Sequence, residues 1–372
     1  MILRYCKKIS GKTLKNFDTY IRILLFGVSA CLWSIIEWGK LKETLAHFDS
    51  HGFKKEKNKT DTNGYGIRIL YINLKRFFLF FTSTILVTCD NSGQSTSRGK
   101  GLNAPRSCLE VLPKSVRLEG ASITIGSENA YPEERPERRV KLGSFEIDAS
   151  EVTNGQFSKF VEETGYITDA EKPQPEFNVP GGAVFSSPSA ESPSWWRFVE
   201  GANWRHPEGP DSMIEGRDMD PVVQVTRDDA QAYSNWAGRR LPTEAEWEFA
   251  AKAGANSLYV WGNERAPEGQ EKANTWQGAF PIENTMEDGF GARAPVGCFE
   301  PNAFGLYDMI GNVWEWTDTI YQKKEGKSIY VIKGGSFLCA ENYCHRYRAA
   351  ARQPQEAGLP TSHIGFRTVS AD

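Results

Sequence analysis

Two cysteines stand five positions apart near the end of the chain, in KGGSFLCAENYCHRYRAAARQP, residues 333–354. They are Cys339 and Cys344, and they follow a double glycine in a segment crowded with arginine and aromatic residues. Placed on one helix, positions five apart point about 140° away from each other, so the thiols could share a ligand only from a loop or a strand-loop junction. Two soft thiolates suit Cu(I) better than a hard ion. Zinc wants four ligands, and no second Cys or Cys/His pair stands nearby to complete a set. Spacing alone leaves three chemistries open: a plain disulfide, a redox or metal-binding pair, and inert thiols.

A second group of residues is rich in oxygen donors. ANTWQGAFPIENTMEDGF, residues 273–290, and GLYDMIGNVWEW, residues 305–316, combine Asn, Asp, Glu and Gly in turn-like runs. Carboxylates and backbone carbonyls of such loops can hold Ca²⁺, although ordinary Asx turns produce the same pattern. A third stretch, ANWRHPEGP, residues 202–210, puts Trp204, Arg205 and His206 in a Pro/Gly loop that could line a peptide groove. A lone His206 is more often structural.

The rest of the chain must position these groups. Its 372 residues allow one large domain plus an extension, and 40% apolar with 24% charged residues describes a soluble globular chain. A net charge of −3 and the lack of a recurring basic stripe argue against a nucleic-acid partner. The five histidines are scattered and no H-E-x-x-H occurs, which disfavours zinc-protease and non-haem iron chemistry. Eleven Trp, thirteen Tyr, twenty-one Phe and thirty-four Gly point to an aromatic-packed fold with long loops. Capping boxes predict helices starting after Thr153 (with Gln156) and after Thr243 (with Glu246); Thr226 as a cap with acids in the first turn predicts another, and Gly165 and Gly238 stop the helices that begin after Thr153 and Thr226. Short strands are expected at SITIGS and around SIYVIKGGSF. The expected class is α+β with low regular content.

The first hundred residues differ in character. Residues 21–38, IRILLFGVSACLWSIIEW, form an apolar run near the short end of a bilayer span. Residues 73–95 have a basic start (Lys75, Arg76), an apolar run from Phe77 to Val87 and then Cys89, the anatomy of a signal peptide. The ending Leu86-Val87-Thr88-Cys89 is similar to a lipoprotein box, with Thr88 departing from the usual small residue. Either translation starts near Ile72, or the chain carries two membrane-directed segments. The polar residues 90–107 read as a tether. The expected organisation is an extension over 1–107, with signal-like or membrane-directed segments, and a globular domain over 108–372.

The motifs, in order, resemble the formylglycine-generating enzymes, or sulfatase-modifying factors. The resemblance covers residues 115–370 and is carried by EVTNGQFSKFVEETGYITDAEK, GANWRHPEGPDS, WAGRRLPTEAEWE, ANTWQGAFPIENTMEDGF, GLYDMIGNVWEW, GGSFLCAENYCHRYRAAARQ and HIGFR. It implies a single α+β domain of the FGE-sulfatase, C-type-lectin-like kind with low regular secondary structure and long loops. That fold also serves binding proteins and envelope lipoproteins; the specific part is the cysteine pair in GGSxxCxxxxCxRYR. The implied activity is oxidation of a cysteine within a CxPxR motif of an unfolded sulfatase to Cα-formylglycine, with O₂ as oxidant and Cu(I) held by Cys339 and Cys344. Ser336 and Tyr343 would flank the metal and oxygen pocket, and Trp314 would wall it. Arg346, Trp204 and His206 are candidates for the substrate groove. The resemblance also implies structural calcium. One site would use Asn274, Thr275, Asp288 and Phe290; another would use Asp308, Gly311, Val313 and Glu315, with Glu151 a further oxygen ligand. Thr275, Phe290, Gly311 and Val313 would ligate through their carbonyls. Vertebrate members carry two core disulfides, at positions held here by Ser234 with Thr368 and by Ala251 with Ala349. Cys108 and Cys298 are additional and have no expected pairing. The implied protein is exported, periplasmic or membrane-anchored, with Cys89 a lipidation candidate. The alternative is a non-catalytic envelope lipoprotein of the same fold that binds peptide or glycan.

Overall fold

A computed structural model describes residue 108 and residues 114–370, apart from 190, 191 and 325. The apolar run at 21–38, the signal-like segment and Cys89 lie outside the described residues. Among the described residues no helix is long and apolar enough to cross a membrane.

Among the described residues three α-helices form where the caps require them. Helix α1, Asn154–Thr164, opens on Thr153: the Gln156 N–H donates to Thr153 Oγ1 while the Thr153 N–H donates to Gln156 Oε1. Gly165, at φ +65°, ends it in the left-handed conformation. Helix α2, Arg227–Trp236, repeats the device with Thr226 and Asp229, and α3, Glu244–Lys252, with Thr243 and Glu246. Phe157 and Phe160 of α1 meet Tyr233 of α2 and join Trp204 and Phe366 in a buried aromatic cluster. Offset and edge-on ring pairs of this kind each add about 1 kcal/mol beyond the area they bury.

The strands are short and their connections long. Strands β1 (Ser115–Leu118) and β4 (Phe145–Asp148) pair antiparallel, flanked by the hairpin of β2 (Ser122–Ile125) and β3 (Arg138–Lys141). Strands β5 (Gly181–Phe185) and β6 (Trp196–Glu200) form a second hairpin. Strand β7 (Arg239–Arg240) joins α2 to α3. The C-terminal third supplies β8 (Trp314–Lys324), β9 (Lys327–Lys333), β10 (Arg352–Glu356), β11 (Ile364–Gly365) and β12 (Val369–Ser370). One sheet runs β1-β4-β12-β7; the other runs β10-β9-β8-β11, with only the β8–β11 pair parallel. The expected strand at SITIGS is β2, and that around SIYVIKGGSF is β9.

The loops between α3 and β8 and between β9 and β10 carry the candidate site residues. They are held from below by buried charge. Lys333, the last residue of β9, is fully buried and donates to Glu248 of α3 at 2.9 Å, with its ammonium over the Trp247 ring. Trp247 in turn donates its indole N–H to Glu315 of β8 at 2.7 Å. Helix α3 therefore fixes the end of the β8–β9 pair at which Glu315 lies opposite Lys333, the end from which the site loops spring.

At the positions where the resemblance implied disulfides in vertebrate members, other contacts stand. Ser234 Oγ donates to the Ala230 carbonyl, Thr368 Oγ1 donates to Asp148 Oδ2, and Ala251 and Ala349 share one apolar core cluster. Cys108 and Cys298, left unpaired by sequence reasoning, form a disulfide across 190 positions. Separation in sequence hides such a pairing, because proximity arises only after the whole domain has folded.

Candidate metal centre and its surroundings

The double glycine gives the cysteine loop its shape. Gly334 and Gly335 both take positive φ, +97° and +80°. At Gly335 a Cβ would stand 2.9 Å from the Tyr347 Cα, so the backbone here admits only glycine. The Gly334 carbonyl accepts the Gly311 N–H at 3.0 Å, and the Phe337 N–H donates to the Asn312 carbonyl at 2.9 Å, which ties the cysteine loop to the GNVWEW loop. The chain then turns tightly. The Cys339 N–H donates to the Ser336 carbonyl and the Cys344 N–H to the Ala340 carbonyl. The Trp276 N–H donates to the Cys339 carbonyl at 3.0 Å.

These turns bring the thiols together inside the protein. Cys339 Sγ and Cys344 Sγ lie 3.0 Å apart, both buried and not bonded to each other. They belong to the aromatic core cluster that also contains Trp204, Trp314, Trp316 and Tyr347. Their surroundings split their acidity. Burial, then the neighbouring Cys344, pushes the Cys339 thiol well above the ordinary range. The hydrogen bond from Cys339 pulls the Cys344 thiol down, and Arg346, with one Nη 4.0 Å from the Cys344 sulfur, adds to that against the cost of burial. Arg346 is itself fixed by Glu133, at 3.0 Å from Nε, and lies over the Tyr131 ring at 3.9 Å. The residue expected in a substrate groove is thus a positioned cation beside one of the two thiols.

The other expected residues divide between core and surface. Ser336 is fully buried at the root of the loop, its Oγ accepting the Leu338 N–H. Trp314 is buried in the same cluster as the thiols. Tyr343 is 54% exposed; it stacks on Phe280 at 4.5 Å and meets Trp195 edge-on, so it belongs to an aromatic surface beside the thiol turn. Trp204 is buried against Phe157, and its indole N–H has no hydrogen-bond partner among the described residues. The His206 ring contacts the Ser212 carbonyl through Nδ1 at 2.6 Å, which makes it a loop brace.

The oxygen-donor loops converge a short way along the same scaffold. In the first set, Asp288 is buried; its Oδ2 accepts the Thr275 N–H and a Gln277 amide, and its Oδ1 accepts the Phe290 N–H. Burial raises its pKa above the ordinary value. Asn274 donates its amide to the Ala292 carbonyl and to Asn312 Oδ1, while its own buried Oδ1 has no donor. In the second set, Glu315 is clamped by both arms of Arg367 at 2.8 Å. Asp308 Oδ2 accepts the Gly297 N–H at 2.6 Å, and burial lifts this carboxyl to about 6. Glu151 accepts the Asn312 amide on Oε1, and its Oε2 is buried without a donor. Burial, then Asp308 and Glu315, drives the Glu151 pKa well up, with Arg367 opposing. Three buried carboxylates facing one guanidinium leave a surplus of negative charge that a divalent cation would neutralise. Among the described residues no three Asp, Glu, His or Cys side chains form a compact ligand group. Any cation here would therefore lean on carbonyl and amide oxygens, as the loop pattern expects. At Gly311, φ +82°, a Cβ would stand 2.3 Å from the Asn274 carbonyl, so only glycine lets the two loops approach.

The sequence reading missed four participants. Asn312, buried with φ +53°, bonds Asn274, Ala294 and Glu151 and so joins the two donor sets; its signal is an Asn placed directly between Gly311 and Val313. Arg367 of the HIGFR motif is the counter-ion of Glu315. Glu133 and Tyr131, which hold Arg346, lie more than two hundred positions upstream and carry no local signal.

With this geometry in place, comparison with known proteins identifies the lineage. Residues 102–372 match the model of the sulfatase-modifying factor enzyme 1-like domain. The chain belongs to the FGE-sulfatase family. A relative from Mycobacterium tuberculosis, called formylglycine-generating enzyme, is 45% identical over 294 residues, covering 70% of this chain and 98% of its own. A Mus musculus protein of the same name is also 45% identical, over 288 residues, covering 70% of this chain and 76% of its own. Another mouse relative, called inactive C-alpha-formylglycine-generating enzyme 2, is 39% identical and covers 70% of this chain and 87% of its own. Among solved structures, PvdO from Pseudomonas aeruginosa aligns with a TM-score of 0.52 and 24% identity over 72% of this chain and 98% of that one, a likeness of fold. The α+β class and the single-domain architecture expected from sequence hold for this family member.

Proposed function

We propose that this protein activates sulfatases by oxidising a cysteine, within a CxPxR motif of the unfolded substrate, to Cα-formylglycine, with Cu(I) bound by Cys339 and Cys344 and O₂ as the oxidant. The observation that carries the reading is the pair of buried, unbonded thiols 3.0 Å apart in a member of a family whose named enzymes generate formylglycine. Among the described residues no third Cys, His, Asp or Glu groups with the two soft sulfurs, which fits a monovalent copper and leaves zinc short of ligands. When bound, copper would supply the one-electron and oxygen chemistry that protein side chains lack.

The chain's own residues do the rest. The glycine turn holds both sulfurs in one place without strain on a side chain. Arg346, braced by Glu133 and Tyr131, favours the thiolate form of Cys344, the form that binds metal. Trp314, Trp204 and Tyr347 keep bulk water from the sulfurs. The half-exposed Tyr343 ring, backed by the buried Phe280 and the partly buried Trp195, offers an extended peptide a place to lie next to the thiol turn. We further propose two structural calcium ions, one at Asn274, Thr275, Asp288 and Phe290 and one at Asp308, Gly311, Val313 and Glu315 with Glu151; the donorless oxygens of Asn274 and Glu151 support them. We place residues 108–372 as the catalytic domain and 1–107 as the targeting extension of an exported, membrane-anchored protein. The Cys108–Cys298 disulfide supports an oxidising compartment.

The mouse relative named inactive keeps the non-catalytic alternative specific: the same fold without the reaction. A peptide series separates the two readings. The purified protein is incubated in air with a CxPxR peptide and with versions lacking the proline or the arginine, and the products are weighed. Conversion gives an aldehyde about 18 Da lighter, the exchange of SH and H for a carbonyl oxygen. Conversion that fades as the proline and arginine are removed supports the proposal; copper-loaded protein that converts none of the peptides refutes it.

A further inference from the structure

The disulfide has a place in the fold that its distance from the thiol pair conceals. Cys298 ends a segment, residues 290–298, that threads between the two oxygen-donor sets. At its start the Phe290 N–H donates to Asp288 Oδ1 at 2.9 Å. In its middle the Ala292 carbonyl accepts the Asn274 amide at 2.9 Å, and the Ala294 N–H donates to Asn312 Oδ1 at 2.9 Å. At its end the Gly297 N–H donates to Asp308 Oδ2 at 2.6 Å. Every one of these bonds lands on a candidate cation ligand or on Asn312, the residue between two of them. Ala294, Cys298 and Phe299 are the buried members of a small apolar cluster, with Cys108 and Phe290 packed on it, and the middle of the segment is further held by the buried Val296, whose N–H donates to the Met219 carbonyl, and by Arg293, which donates to the Ser362 carbonyl and pairs with Glu208. The one covalent restraint is the bond from Cys298 to Cys108, 190 positions earlier.

We infer that the Cys108–Cys298 disulfide is a positioning clamp for the two cation loops, so that the redox state of this bond and calcium binding are thermodynamically coupled. The inference rests on the calcium reading above. Closing the bond fixes one end of the 290–298 segment, and that segment presents Asp288, Asn274 and Asp308 in register. Opening it by a dithiol transfers two electrons and two protons to the sulfurs of Cys108 and Cys298 and oxidises the dithiol to its own disulfide. The segment then keeps its hydrogen bonds but loses its anchor, and the cation must order it on binding. Coupling between sites is reciprocal, so calcium must in turn make the disulfide harder to reduce.

Two measurements on the full-length, copper-free chain test this. Calcium is titrated calorimetrically into the oxidised protein and into the Cys108→Ser/Cys298→Ser variant. The midpoint potential of the Cys108–Cys298 bond is then measured in dithiol buffers with saturating calcium and with EGTA, scored by mass spectrometry of alkylated Cys108 and Cys298. The expected results are calcium affinity about tenfold higher in the oxidised chain, in the usual range for such coupling, and a potential about 30 mV lower with calcium, the same factor for a two-electron couple. The potential is read on the unmodified protein, so it decides the matter even where the double variant folds poorly. Oxidised protein that binds calcium, with the same affinity in the variant and the same potential in EGTA, overturns the clamp and leaves the calcium sites standing. Oxidised protein that binds no calcium overturns both.

Discussion

At the scale of single residues, the two thiols are unequal because their neighbours are unequal. Cys339 is deeper and is pushed toward the protonated form by burial, whereas Cys344 takes a hydrogen bond from Cys339 and faces the Arg346 guanidinium. Glu133 and Tyr131 hold that guanidinium in place. Replacing Arg346 by Ala removes a positive charge from beside one thiolate. In copper-free protein, alkylation of Cys344 should then require higher pH, with the rate profile shifted upward relative to the wild type. Mass spectrometry of iodoacetamide-labelled peptides reads that profile directly; superimposable profiles would show that Arg346 exerts no field on the sulfur. At this scale the sequence was informative about identity and silent about partners. GGSFLCAENYC announced two thiols after a glycine turn, but nothing near Arg346 named Glu133 or Tyr131. Tyr343 shows the same limit: the resemblance implied a place flanking the metal pocket, and no local signal named the buried Phe280 on which its half-exposed ring stacks.

At the scale of elements, the capping boxes made the helices legible, because a Thr with a matching acceptor three residues on satisfies the first orphaned N–H groups in any context. Strand pairing was less legible, since two-residue strands such as β7, β11 and β12 are defined by partners distant in sequence. Helix α2 carries a pH-dependent element. Asp229 is buried, accepts the Thr226 and Asp169 N–H groups and the Tyr166 hydroxyl, and burial raises its pKa to about 6. An acid raised in the folded state stabilises the fold most below its unfolded constant near 4 and loses that contribution as pH rises through about 6. Relative to Asp229→Asn, the wild type should therefore lose roughly 3 kcal/mol of stability between pH 4 and pH 7. Paired urea melts across that window check the slope; parallel stability curves would mean that the carboxyl titrates normally.

At the scale of the whole molecule, buried charge and loop closure replace long regular elements. The Lys333–Glu248 pair, the Trp247 indole and the Glu315–Arg367 pair link α3, β8, β9 and the HIGFR segment in one chain of contacts beneath the site. Near it, Glu151, Asp308 and Glu315 gather more negative charge than Arg367 balances. With calcium at these loops, removal by EGTA should lower the melting temperature by several degrees, the change expected when a ligand well above its dissociation constant is withdrawn. Calorimetric scans with calcium, magnesium and EGTA test this, and an unchanged transition in EGTA would remove calcium from the account. The donor loops could be read from their Asn, Asp and Gly content together with the family resemblance. The disulfide and the role of Asn312 could not, because both depend on how segments far apart in sequence come to lie side by side.

The most direct test of the central claim is oxygen-dependent turnover by the thiol pair itself. Protein loaded with one equivalent of Cu(I) is mixed with a CxPxR peptide without oxygen, oxygen is admitted, and the peptide mass is followed beside Cys339→Ala and Cys344→Ala controls that retain the fold. Formation of the aldehyde only after oxygen enters, only with copper and only with both cysteines is the predicted result. Copper-independent conversion, or conversion by either variant at the wild-type rate, would contradict it.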